Sequence, residues 1–185
     1  MKVAIPSHDA LALLDAGREE VEKLIRAFGR RRRALAPLDK GKLALRLCRA
    51  LAVHGKVKRE IFYPAAESVL QGDDRETVAK ARIAEGELLR LVRHVETMPA
   101  REPDFDPTVL LLAEQASQHL RRETEEVAPR LRHSGLDLKG TGERMAALAA
   151  QLATAPIGRK QIQRARTVMA GAPRRATAGR ARRLP

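Results

Sequence analysis

Apolar residues recur three and four positions apart along most of the chain, the spacing that sets one stripe of a helix against its neighbours. A first run, about residues 9–28, has its seam at Leu11, Leu14, Arg18, Val21, Ile25 and Phe28. A second, about residues 39–62, has Leu43, Leu47, Ala50, His54, Val57 and Ile61. A third, about residues 74–97, is less sharply patterned, around Ile83, Gly86, Leu89 and Val92. A fourth begins near Pro107 and carries Val109, Leu112, Ala116, His119, Glu123 and Glu126. A shorter fifth, about residues 141–154, follows "HSGLDLKG". The connections "RRRRALAPLDKGK", "YPAAESVLQGDD" and "MPAREPDFDP" hold the glycines, prolines and aspartates that stop and start helices. Four long helices with short loops predict an all-α, up-down four-helix bundle, followed by a short fifth helix.

Four polar residues interrupt these seams. Arg18, His54, His119 and Glu123 occupy positions that otherwise read as core, and they lie near mid-helix. Burying such groups costs several kcal/mol unless they pair or bind something. Two stretches share a layout. In "LAVHGKVKREIFYPAAE" the residue four after His54 is Lys58, and in "QHLRRETEEVAPRL" the residue four after His119 is Glu123. A proline follows each histidine at the same distance, Pro64 and Pro129. The second copy reads as half of a metal site and the first does not. Bundle interiors are where carboxylate-rich metal sites are built.

Composition agrees with helices and adds a charged tail. Only 2% of the 185 residues are aromatic, whereas strands draw on aromatic and β-branched side chains. The length suits about one domain. The single Cys48 cannot form an internal disulfide, which fits a reducing, cytoplasmic setting. No apolar run approaches a membrane span, and the N-terminus lacks the apolar core of a signal peptide. Charge concentrates at the end. Arg159, Lys160, Arg164, Arg166, Arg174, Arg175, Arg180, Arg182 and Arg183 stand in residues 156–185 without one acid. They are most of the net +13. The chain therefore divides into a helical domain, residues 1–155, and a basic tail, residues 156–185, whose composition cannot bury a core. Such a tail is expected to attach to a polyanion, nucleic acid among them, through phosphates. Its lack of aromatics argues against stacking on bases, and its few apolar residues do not make a membrane-binding face.

Other residues carry bland expectations. His8 belongs to a capping turn, His94 and His133 to the surface, and Cys48 to the core. Arg30 to Arg33 close the first helix, where cations favour the C-terminal end. "KGTGER" lacks the preceding strand a phosphate loop needs. No nucleophile, base and orienting group stand together in the pattern, so no enzyme is expected.

The stretches "VHGKVKREIFYPA", "QHLRRETEEVAPRL" and "LDLKGTGERMAAL", with the opening "DALALLDAGREEVEKLIRAF", resemble the hemerythrin-like (HHE cation-binding) family over about residues 9–152. The resemblance implies a hemerythrin-like bundle with iron as cofactor, used for oxygen binding, sensing or iron handling. It also implies that most iron ligands have been replaced. Arg18 stands where the family's first-helix histidine belongs, Lys58 replaces a glutamate, and Gly86 and Arg90 stand at two histidine positions. His54, His119 and Glu123 remain, with Thr124 as the other position for the last acid. These three could hold one metal as a facial triad. Arg18, Lys58 and Arg90 would oppose it, each by about 3 kcal/mol at about 5 Å and an effective dielectric near 20. The expectation is a degenerate site without cofactor, in a binding or structural module, with Arg18 and Lys58 reaching Glu123.

Overall fold

The computed structural model describes residues 9–154, and every regular element among them is helical. His8 and the nine basic tail residues lie outside the described residues. Helix α1 spans Ala10–Arg31, and Asp9 caps it by accepting the Ala12 N–H at 2.8 Å. Helix α2, Pro37–Val57, starts on a proline whose missing N–H is no loss there. It runs through a π turn, Lys58–Phe62, into α3, Tyr63–Val69. Helix α4, Gly72–Val95, opens on Gly72 at φ +53°. Helix α5, Phe105–Arg122, runs through a second π turn, Glu123–Val127, into α6, Ala128–Arg132. Helix α7 is Leu138–Thr154, longer than the sequence pattern suggested because Asp137 accepts the Gly140 N–H at 2.9 Å and starts it early.

The two π turns have one cause. Each is followed after one residue by a proline, Pro64 or Pro129. A proline ring crowds the carbonyl four residues back and offers no N–H to it. The chain instead closes a wider turn, with Tyr63 N–H bonded to the Lys58 carbonyl and Ala128 N–H to that of Glu123. A wide turn shifts the seam. Glu126, expected inside, is exposed, and Val127 is buried in its place. Likewise Lys58, Phe62 and Tyr63 turn fully inward.

Helix α1 packs on α2 and α7, α2 on α4, and α4 on α5, which touches α1 again. One apolar cluster, around Phe28, Leu47, Leu51, Val92 and Leu112, fills one end. A second, around Leu11, Phe62, Tyr63, Val78 and Leu131, fills the other. The buried residues between them in sequence include Glu85 on α4 and Glu123 just after α5.

The seam of α4 departs from the expected one. Val78, Glu85, Leu88, Val92 and Val95 face inward, two helical turns separating Val78, Glu85 and Val92. Ile83 is 64% exposed, and a Cβ on Gly86 would meet nothing within 4 Å. Gly86 therefore stands off the interior, and its neighbour Glu85 enters it.

Candidate functional site

Among the described residues Lys58 is the most deeply buried charge, with no exposed surface at all. The first π turn carries it inward from the end of α2. Its ammonium donates to Glu123 Oε1 and Oε2 at 3.0 and 2.9 Å, and pairs closely with Glu85 Oε2. His119 Nε2 lies 3.1 Å from the same nitrogen. Three ammonium protons thus meet three partners, on α4, on α5 and at the start of the second π turn. His119 Nε2 is also 2.9 Å from Glu85 Oε2 and 3.3 Å from Glu123 Oε1. The nitrogen either accepts from Lys58 in the neutral ring or donates to a carboxylate. Tyr63 closes the cluster, donating its hydroxyl to Glu123 Oε1, with its ring 5.9 Å from the ammonium.

Electrostatics keep these groups charged in spite of burial. Burial alone would raise the carboxyl pKa values of Glu85 and Glu123, but Lys58 and the His119 hydrogen bonds hold both below the usual 4.5. Burial would strip Lys58 of its proton, yet Glu123 and Glu85 outweigh it and raise its pKa above 10.5. For His119, hydrogen bonds to Glu123 and Glu85 likewise outweigh burial and raise the value above 6.5. Burial pushes the Tyr63 hydroxyl far up, with both carboxylates adding to it. The result is an ammonium locked between two carboxylates in an apolar interior.

The other positions singled out by sequence fall around this cluster. His54 sits on α2 against Gly17 of α1, where an added Cβ would come within 2.4 Å of its Nδ1. Its Nε2 is buried without a hydrogen-bond partner among the described residues. Burial, then the Lys58 charge, pull its pKa down to about 4, so the ring is neutral. Arg18 does not pair with Glu123 as expected. It bonds Glu22 at 3.0 Å and Asp15 at 3.5 Å on its own helix, because its long arm lets the guanidinium reach the half-exposed edge. With His54 and Glu123 it lines a cavity of about 30 Å³, room for about one water. Arg90 is exposed and pairs with Glu87 at 3.2 Å, so it does not enter the interior either. Thr124 is exposed, its hydroxyl bonded to the Leu120 carbonyl at 3.1 Å. His94 and His133 are exposed, and Cys48 is buried with its thiol pushed up to about 12 by that burial.

Glu85 is the member that the sequence pattern missed. The signal that could have found it is the spacing Val78, Glu85, Val92, which places an acid on the apolar stripe.

The interior also bears on the iron that the resemblance implies. Glu85, His119 and Glu123 each offer a ligand atom, all within 4.8 Å of one another, a set that suits a divalent cation. His54 is not in that set. The Lys58 nitrogen, however, lies within bonding distance of all three residues, at the centre where the ion would sit. With Lys58 in this position a metal does not fit.

Comparison of the chain with family models, with curated proteins and with solved structures finds no match.

Proposed function

We propose that the chain is a hemerythrin-like four-helix bundle in which a lysine ammonium has taken the place of the metal, and that it works as a non-catalytic binding or structural module. The observation that supports this most is the Lys58 nitrogen at 2.9 to 3.1 Å from Glu123 and His119, paired also with Glu85. Metal sites in such bundles are built from carboxylates and histidines that project inward from several helices. Lys58 draws on the same kinds of residue, from α4 and from the α5 segment. The positive charge comes from the chain, so no metal need be supplied for folding. The cluster offers no activated nucleophile, since Lys58 keeps its proton and burial raises the Tyr63 pKa; Cys48, in the apolar core outside it, is raised as well.

The basic tail adds a partner class on sequence grounds alone. Residues 159 to 183 supply nine cations that would attract a polyanion such as nucleic acid through its phosphates.

The second reading, a metal centre for oxygen binding or iron handling, draws on the close approach of Glu85, His119 and Glu123. Protein purified from iron-replete cells decides between them. The ammonium reading expects far less than one iron per chain and no oxo-bridge absorption. Near-stoichiometric iron that resists mild chelation would overturn it and make Glu85, His119 and Glu123 the ligands.

A further inference from the structure

Between α1, α2 and α7 lies a half-open groove of about 540 Å³, apart from the small cavity beside Glu123. Its walls are apolar, with Leu13, Val53, Val57, Met145 and Ala149 among them. The room comes from sequence. Helix α7 turns Ala146, Ala149 and Ala153 toward the gap, and α1 contributes Gly17. Larger side chains there would have closed the space. The volume falls in the range of small-molecule sites, which run from about 300 to 1,000 Å³ and are mostly apolar with a few polar groups. The polar groups are sorted by depth. His54, neutral and half-buried, belongs to the lining, while the exposed Glu20, Arg46 and Arg49 stand at the rim. Arg49 also donates to the Ala153 carbonyl at 3.3 Å, tying the end of α7 across the opening.

We propose that this groove binds a free long-chain fatty acid, its acyl chain among the apolar walls and its carboxylate at Arg46 and Arg49. The rim carries two cations and one anion, a net single positive charge, which a monoanionic carboxylate matches and a dianionic phosphate would overshoot. The same charge argues against the chain's own basic tail as occupant, since nine cations and no acid would be brought against two arginines. A long apolar chain also accounts for the size of the walled space, which a small polar anion would leave mostly unfilled.

The test is calorimetric titration of the full chain with dodecanoate, octanoate and dodecanol, below the concentrations at which they self-assemble. One saturable site is expected for dodecanoate. Each added methylene should tighten binding roughly fourfold where it is fully buried. The double variant Arg46→Ala with Arg49→Ala should weaken dodecanoate about tenfold and leave dodecanol unchanged. Ala149→Phe, which fills the groove from α7, should abolish binding without lowering the melting temperature. Dodecanoate binding that survives Ala149→Phe would place the carboxylate on the basic tail and overturn the proposal. So would the absence of any saturable site. If dodecanoate does not bind and Ala149→Phe instead dissolves a dimer of the wild-type chain, the face belongs to a second copy and the proposal is wrong.

Discussion

Lys58 and Glu123 depend on each other more than on anything else near them. Each is held as an ion chiefly by the other, 2.9 Å away, and a buried charge that loses its partner costs about 3–5 kcal/mol. Glu123→Ala should therefore lower unfolding free energy by about that much in urea titrations. Lys58→Met combined with Glu85→Leu and Glu123→Leu should recover most of the loss, because a packed apolar layer replaces the ions. A triple variant no more stable than Glu123→Ala would show that the cluster is not an ion network of this kind. Proton linkage separates its members. Glu85 and Glu123 titrate below 4.5 in the folded chain, so their stability is present above that pH and lost as pH falls further. His54 acts in a higher window. Its pKa drops from 6.5 to about 4, so the unfolded chain takes a proton that the folded chain refuses, and stability falls as pH goes from 6.5 to about 4. His119, raised, acts the other way: its contribution is present below 6.5 and lost as pH rises through its folded value. Unfolding midpoints measured across this range should fall less steeply for His54→Asn than for the wild type. Identical slopes would mean that His54 is not a buried neutral ring.

Two glycines on neighbouring helices should respond oppositely to the same substitution. Alanine is the better helix residue by about 1 kcal/mol. On α4, a Cβ at Gly86 meets open space, so Gly86→Ala should stabilise by about that amount. On α2, a Cβ at Gly55 would lie 2.3 Å from Glu85 Oε1 and 3.2 Å from Leu89. Glu85 is held by Lys58 and has nowhere to move, so Gly55→Ala should destabilise by roughly 2 kcal/mol, the propensity gain included. Thermal melts of the pair check this, and a stabilised Gly55→Ala would contradict the placement of Glu85. The same helices show where the sequence was legible. The stripes of α1 and α2 could be read because leucines, valines and Phe28 mark them at regular spacing. The stripe of α4 could not, because the large apolar side chains of its first half are only Val78 and Ile83, and Ile83 faces solvent. That misplacement put Gly86 at the interior and hid Glu85. The inward turn of Lys58 and the outward turn of Glu126 were out of reach for another reason. Both follow from π turns, which no three-four pattern anticipates, although the proline placed alike after each histidine was visible.

In the whole molecule, the all-helical character of the described residues was legible from periodicity, and helix α1, read from its seam, lies close to where it was expected. The basic tail should act independently of that body. Deleting residues 156–185 should remove most affinity for nucleic acid and leave the melting transition nearly unchanged. The affinity of the full chain should fall steeply with salt and show little sequence preference. Binding that persists in the deletion would move the interaction to the helical body. The proposal that Lys58 stands in the place of a metal is tested most directly by equilibrium dialysis of the wild type and of Lys58→Ala against cobalt(II) at neutral pH. The wild type should retain no cobalt above background. Lys58→Ala should be poorly stable alone, bind about one cobalt per chain through Glu85, His119 and Glu123, and regain stability as it does so. Stoichiometric cobalt in the wild type, or none in Lys58→Ala that has kept its fold, would contradict the assignment of Lys58 as the cation of this site.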